Sequence, residues 1–521
     1  MSSRLAVPIL IFGSIAVAQP QISDYGVANA ASYGYVGLPD QGIAQGSMFV
    51  TFGAGLGPAS LTQAEGLPLP VELGGTRVDI QAGGAMLAAP VVYTSATQVA
   101  AILPSNTPLG QATVIIVYND RASTGKSINI VPSNFGIFTS NQAGTGRASI
   151  TDTASRALDL MNAANPGDLV SIWGTGLGPV SFPDDRLPQP IDMKNLQVRI
   201  TIGGRPAEIL YRGRSGCCAG VDQIVFKVPV GVTGCYEAVY LAVGNVISNT
   251  ATIPVTEPPS RVCADAAWLS GTDMQALTGK SSFSLGYQSL TRAEDSQGGD
   301  TGVSTFYRFN VSDYDFSLLQ PPEPGSCEVT VQTTPFNWVP VTAARLDAGG
   351  AISIVGPKGT KLIPKTDDLY VGNLGVGYLV PGVYALSNGS GGSKIGSFRV
   401  GVTVPQPLAW TNRDAFGVVL RSEGVTLRWT GGDSEGTILI MGNVAKGQFP
   451  GPITVTQFNC HALVSDGQFT VPPRIVMALP PDQAGILALG AETNQTRFTA
   501  SGLDLGFASF YEQLTRTVAY Q

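Results

Sequence analysis

The chain is predicted to be all-β, a tandem of β-sandwiches followed by two further β-rich domains. Three observations carry that prediction. Short runs rich in β-branched and aromatic residues recur, with Gly, Pro, Asn or Ser between most of them. Several alternate in polarity: in Arg77-Val78-Asp79-Ile80-Gln81 the apolar side chains fall on one face of an extended backbone and the polar ones on the other. One stretch is also written twice, since Asn165-Pro-Gly-Asp-Leu-Val-Ser-Ile-Trp-Gly-Thr-Gly-Leu-Gly-Pro179 echoes Gln45-Gly-Ser-Met-Phe-Val-Thr-Phe-Gly-Ala-Gly-Leu-Gly-Pro58.

A length of 521 residues requires several cores, because one such sandwich takes roughly 100 residues. With 44% hydrophobic and 13% charged residues the chain can bury them and is not expected to be disordered. The net charge of -7 comes with no run of Lys or Arg, so nucleic acid is not an expected partner.

Residues 1–18 read as a secretory signal: Arg4 is the positive start, Leu5 to Ile15 the apolar stretch and Ala16-Val17-Ala18 the cleavage pattern. The apolar run is shorter than the ~20 residues that span a bilayer. No later segment is long and apolar enough, so the mature chain is expected to lack a transmembrane segment and to be secreted, extracellular or at the cell surface.

The first domain, residues 19–132, has strand runs at Met48 to Phe52, Arg77 to Gln81, Pro90 to Tyr93, Gln98 to Leu103, Ala112 to Tyr118 and Ser127 to Val131. The second, residues 133–255, repeats their order. Leu169 to Trp173 answers Met48 to Phe52, Gln223-Ile-Val-Phe-Lys-Val-Pro229 answers Gln98-Val-Ala-Ala-Ile-Leu-Pro104, and Ser248-Asn249 falls where Ser123-Thr124 did. So small a drift in offset means duplication with loop insertions, here around Arg212 to Gly220.

The telling pieces of the first copy are Asn29-Ala-Ala-Ser-Tyr33, Gly46-Ser47 with Phe52-Gly53, Glu72-Leu73-Gly74-Gly75, and Tyr93 with Gln98. Those of the second are Gly174-Thr-Gly-Leu-Gly-Pro179, Ile202-Gly-Gly-Arg-Pro-Ala207 and Gly244-Asn-Val-Ile-Ser-Asn249. Together they resemble two copies of the uncharacterised Solibacter-type C-terminal repeat domain of secreted acidobacterial proteins, whose turn is also similar to that of IPT/TIG immunoglobulin-like domains. The resemblance covers residues 25–255. It implies tandem immunoglobulin-like sandwiches in an exported bacterial protein and carries over no catalytic residue.

A linker is expected at Pro254 to Pro259, stiffened by its prolines. Beyond it the repeat is lost. Residues 260–404 form a β-rich domain with runs at Thr305 to Val311, Glu328 to Gln332, Ile352 to Val355 and Gly396 to Val402. Residues 406–521 form a β-rich C-terminal domain with runs at Gly424 to Trp429, Thr437 to Met441, Gln468 to Val471, Ile486 to Leu489 and Thr496 to Thr499. The best helix candidates are Pro473 to Leu479 and Phe507 to Leu514.

Export permits disulfides, and the candidates are Cys217, Cys218, Cys235, Cys263, Cys327 and Cys460. Six thiols allow 15 pairings, among which sequence does not select. Neighbours Cys217 and Cys218 would strain to bond each other, which favours their reaching Cys235 and Cys263 and leaves Cys327 for Cys460. Zinc is disfavoured, with one His and no Cys-x-x-Cys pair.

The motifs with a chemical reading are weak. Gly53-Ala-Gly-Leu-Gly57 and Gly174-Thr-Gly-Leu-Gly178 invite a phosphate loop, but Pro58 and Pro179 stand where the third fingerprint glycine belongs and no helical period follows. Gly432-Asp-Ser434-Glu-Gly436 matches a nucleophile elbow without the helix or the acid that chemistry needs, so a hairpin turn is expected. His461 beside Cys460 would face away from it on a strand. Acidic clusters at Asp184-Asp185, Glu294-Asp295 with Asp300, Asp313 with Asp315, and Asp367-Asp368 read as solvated loops; calcium is the one cofactor they admit, although their spacing completes no calcium loop. Trp173, Trp410 and Trp429 lie in or beside strand runs and read as core, whereas Trp268 and Trp338 sit in less regular contexts; Trp338 is the ligand-platform candidate.

No catalytic set emerges. The leading expectation is a secreted non-enzymatic multidomain β-sandwich protein for adhesion, surface architecture or ligand binding, its partner a glycan or a cell-surface protein. The alternative is an exported hydrolase or glycan-processing protein with its site in residues 260–521.

Overall fold

The computed structural model describes residues 19–34, 42–142, 144–187, 189–264, 269–293, 299–311, 324–333, 343–448, 451 and 453–521. The secretory-signal segment, most of the Glu294 to Asp300 loop, Asp313, Asp315, Trp268 and Trp338 lie outside these residues. No helix among the described residues is long and apolar enough to cross a membrane.

In the first module one sheet runs in the order Gln21–Asn29, Met48–Ala54, Gln98–Ile102, Val91–Thr94; the facing sheet runs Lys126–Val131, Gly110–Tyr118, Thr76–Ala82, with Ala85–Ala89 on its edge. Alternation along Thr76–Ala82 sends Val78 and Ile80 inward, where Phe49, Val114 and Ile116 meet them, each at most 1% exposed.

The second module repeats this arrangement. Leu169–Thr175 pairs with Asp222–Lys227 as Met48–Ala54 pairs with Gln98–Ile102, and Val198–Ile202 pairs with Gly234–Val243 as Thr76–Ala82 pairs with Gly110–Tyr118. The tight turns Gly83-Gly84 and Gly203-Gly204 both need positive φ, which glycine adopts without steric cost. Ser123 accepts from Ile116 N through Oγ and returns its own N–H to Ile116 O; Ser248 does the same with Leu241. The copies differ at one crossing. Pro90 separates Ala85–Ala89 in one sheet from Val91–Thr94 in the other, whereas Arg205–Arg214 runs unbroken through both sheets of the second module and shifts register between Ile209 and Tyr211.

The two glycine-rich stretches leave their strands as turns, not helices, and both bury their leucine: Leu56 is 0% and Leu177 2% exposed. In the first copy Leu56 N donates to Ala96 O. In the second, Gly176 N and Leu177 N both donate to Asp222 Oδ2 at 2.7 Å, and Asp222 is paired with Arg214.

This second turn is also the joint between the modules. Met48 N donates to Thr175 Oγ1 (2.8 Å), Asn29 Nδ2 to Asn134 O (3.1 Å) and Ser105 Oγ to Asp184 Oδ1 (2.7 Å). A Cβ on Gly46 would lie 2.5 Å from Arg214 Nη2, so only glycine permits that approach. Asp184, expected in a solvated loop, is instead a joint residue, and burial pushes its carboxyl up.

The expected linker is pinned along its length. Thr256 N donates to Ala164 O, Ala163 N to Arg261 O and Cys263 N to Leu160 O, while Asn165 Nδ2 donates to Ser260 O (2.8 Å). Cys235 bonds Cys263 there, both buried beside Leu160 and Ala163. The exposed turn that carries Cys217 and Cys218 does not reach this buried site, so the expected exchange of partners is corrected: Cys217 bonds Cys218. Cys327 bonds Cys460, directly opposite it on an antiparallel neighbour.

The sequence boundary near Pro405 does not divide the remaining sheets. One continuous sheet joins both regions through Leu505–Tyr520, which pairs parallel with Ser282–Ala293 through residues from Leu505 on and antiparallel with Asp482–Glu492 through residues up to Tyr520. Phe507 to Leu514 is therefore strand, correcting the helix expected there. Phe498, Ala508 and Phe510 complete the core containing Ile352, Tyr384 and Val402, and Cys327–Thr333 joins the C-terminal sheet. Arg292 grips Glu512 through Nε and Nη2 (2.9 and 2.7 Å) and donates to Leu379 O, while Leu408 N donates to the same carboxylate. The helix Pro473–Met477 forms as expected. A second, Gly271–Leu277, was not expected; it is capped by Ser270 and Asp273, each side chain accepting from the other's backbone N–H.

Candidate ligand-binding groove

A cavity of about 630 Å³ lies on the second module, across Val198–Ile202, the bend of Arg205–Arg214 and the turn after Gly234–Val243. Ile200, Ile202, Val239 and Leu241 point into the core, each at most 1% exposed. Period-two alternation therefore turns Arg199, Thr201, Tyr240 and Ala242 outward onto one face. Register sets Thr201 directly opposite Tyr240 and Arg199 opposite Ala242, so their Cβ atoms are about 5 Å apart across the strands. Asn245 and Ile247 stand at the hairpin end, and Arg212 reaches the groove from the neighbouring strand Arg205–Arg214.

The polar side chains here are little used by the protein. Arg199, Thr201, Tyr240 and Asn245 make no side-chain hydrogen bond or ion pair among the described residues. Arg212 donates Nη2 to Lys194 O at 2.8 Å, and its buried Nε has no partner. The arrangement offers an aromatic ring, two guanidiniums, a hydroxyl and an amide, which can orient a polar ligand. It holds no acid–base pair and no nucleophile beside a base.

The residues singled out by sequence lie elsewhere. Gly432 to Gly436 is not a hairpin but a corner: Val425–Thr430 belongs to a small three-stranded sheet and Thr437–Lys446 to the large one. Cys460 is buried in the core with Trp410 and Trp429, while His461 is on the opposite face, where burial pushes it down to about 4. Trp173 is a correction: it is half-buried outside the core, donating Nε1 to Thr151 Oγ1 at 3.1 Å. Asp367 and Asp368 form the tight turn between Gly359–Thr366 and Leu369–Gly375, both with positive φ, and Asp368 pairs with Lys365. Among the described residues no group of three His, Cys, Asp or Glu is placed to hold a metal ion. A polar cluster that the sequence did not flag sits on the large sheet: Ser509 Oγ donates to Glu492 Oε1 at 2.7 Å, Tyr287 Oη approaches at 3.3 Å, and burial raises the Glu492 carboxyl.

No family model and no curated protein matches the chain. Among solved structures it is similar to a titin Ig tandem (8% identity, TM-score 0.13, 42% of this chain and 91% of that chain) and to Sidekick-1 immunoglobulin domains 1-5 (12%, 0.12, 95% and 79%). It is also similar to SGBP-B of the Bacteroides ovatus mixed-linkage glucan utilization locus, solved with a mixed-linkage heptasaccharide (8%, 0.14, 88% and 95%). With TM-scores this low none superposes as a whole, and what each binds stays its own. The fold stands on the strand order described above: all-β, built of tandem immunoglobulin-like sandwiches.

Proposed function

We propose that the protein is an extracellular, non-enzymatic β-sandwich protein that binds a ligand in the groove of its second module. The first two modules are read as copies of the Solibacter-type repeat, exported by the signal at residues 1–18. One observation supports the binding reading above others: the side chains of Arg199, Thr201, Tyr240 and Asn245 converge on one cavity without protein partners. The pinned joints at Asp184 and at Asn165 suit a scaffold that presents this face in a fixed orientation.

The test is a glycan array and a cell-surface protein panel probed with the full mature chain and with Tyr240→Ala. Binding by the parent, lost in the variant at unchanged thermal midpoint, is the expected result. Binding unaffected by Tyr240→Ala would move the site elsewhere, first to Trp338. The hydrolase alternative has one observation in its favour, the half-buried Glu492 with Ser509 and Tyr287. Turnover of a glycoside or ester substrate, abolished by Glu492→Gln, would replace the binding reading.

A further inference from the structure

We infer that the groove takes a carboxylate-bearing glycan, an oligosaccharide containing uronic acid. The inference rests on the binding reading above and names its ligand class.

Charge is the first ground. On a chain of net charge -7 the cavity lining contains Arg199 and Arg212 and no Asp or Glu. Several guanidiniums are neutralised, Arg77 by Asp79, Arg156 by Asp152, Arg214 by Asp222, Arg261 by Asp168 and Arg292 by Glu512, while others among the described residues, such as Arg399 and Arg428, stand unpaired but line no cavity with a second cation. Arg199 and Arg212 have no carboxylate partner among the described residues. Arg212 is anchored at Nη2 alone, which leaves most of its five donors uncommitted. A guanidinium presents its donors as a fork matched to a carboxylate.

The duplication supplies an internal comparison. Counting back from the equivalent turns Gly83-Gly84 and Gly203-Gly204, Asp79 holds the place of Arg199 and Gln81 that of Thr201, while Thr113, opposite Gln81, holds the place of Tyr240. Asp79 is tied to Arg77 at 3.0 Å. The same strand pair thus carries a self-neutralised face in one copy and an unpaired cationic face with an aromatic ring in the other.

The position on the sheet favours a sugar over an acidic peptide. Val198–Ile202 is hydrogen-bonded to strands on both sides, so its backbone offers no edge on which a peptide could add a strand. Recognition falls to side chains: a ring for the apolar face of a pyranose, Thr201 and Asn245 for hydroxyls, and the two cations for carboxylates.

The experiment titrates the full mature chain with oligogalacturonate, alginate oligosaccharide and hyaluronan oligosaccharide. The controls are methyl-esterified oligogalacturonate, a neutral glucan oligosaccharide and a polyglutamate peptide. At least one uronate is expected to bind at least ten-fold more tightly than every control, with affinity falling as salt rises. Arg199→Asp, which installs the first copy's residue, is expected to remove at least ten-fold of that affinity with an unchanged thermal midpoint; Arg199→Lys should retain part of it. Neutral glycan binding that Tyr240→Ala abolishes and Arg199→Asp leaves intact would overturn the uronate inference while keeping the groove. Tighter binding of polyglutamate would overturn the choice of a sugar, and no binding across the uronate panel would overturn the inference outright.

Discussion

Arg214 donates through Nη1 to Asp222 Oδ1 at 2.6 Å with the two residues 1% and 0% exposed. The other carboxylate oxygen fixes the turn at Gly176 and Leu177, and Arg214 Nη2 holds Gly178 O at 2.9 Å. Removing one partner of such a pair strands the other charge in a dry site, at a cost of about 3–5 kcal/mol. Asp222→Ala should lower unfolding free energy by that amount in a denaturant titration. A loss below about 1 kcal/mol would show that the pair does not hold the turn.

The two copies make a matched prediction. Ser123→Ala leaves Ile116 N without its acceptor, and Ser248→Ala does the same to Leu241 N. Each should cost about 1–3 kcal/mol, the penalty for an unsatisfied buried donor. Similar losses are expected in the two variants, and a large loss in only one would mean that the shared geometry is not shared in energy.

His461 gives a pH dependence. Burial holds it neutral in the folded chain down to about 4, against 6.5 for the unmodified group. Between those values the unfolded chain binds the proton and the folded chain does not, so stability falls as pH drops from 6.5 toward 4 and this contribution levels off below. The slope is at most ~1.4 kcal/mol per pH unit. His461→Gln should flatten stability between pH 6.5 and 5 relative to the parent, and identical pH profiles would refute the assignment.

The disulfides should rank by the loop they close. Sequence separations of 133, 28 and 1 belong to Cys327–Cys460, Cys235–Cys263 and Cys217–Cys218. Loop-closure entropy gives about 5, 3.5 and 1 kcal/mol respectively. Double Cys→Ala variants compared by thermal melting check the order, which fails if loss of Cys217–Cys218 costs as much as loss of Cys327–Cys460.

Much of the fold could be read from residue pattern. Alternation placed Val78 and Ile80 in the core, and the Ser123 and Ser248 correspondence proved to be one hydrogen-bonding device used twice. Phe507 to Leu514 misled for a physical reason. Leu505–Tyr520 is paired on both edges, and its first six residues are all buried, so alternation disappears. The spacing of Phe507, Phe510, Tyr511 and Leu514 then mimics one face of a helix. The groove was illegible for a different reason. Arg199 and Thr201 look like any polar strand face, and what makes them line a cavity is the register shift after Ile209 in the neighbouring strand, which pairing with Asp222–Lys227 sets and local sequence does not.

The parallel pairing of Ser282–Ala293 with Leu505–Tyr520 carries a consequence for biogenesis. The first two modules close on strands that are near one another in the chain, so each can fold as it emerges. The third cannot, because its wall is supplied by residues made long after, and until they arrive Ser282–Ala293 presents an open edge. Closure of that edge therefore waits for the last strand of the chain to be made.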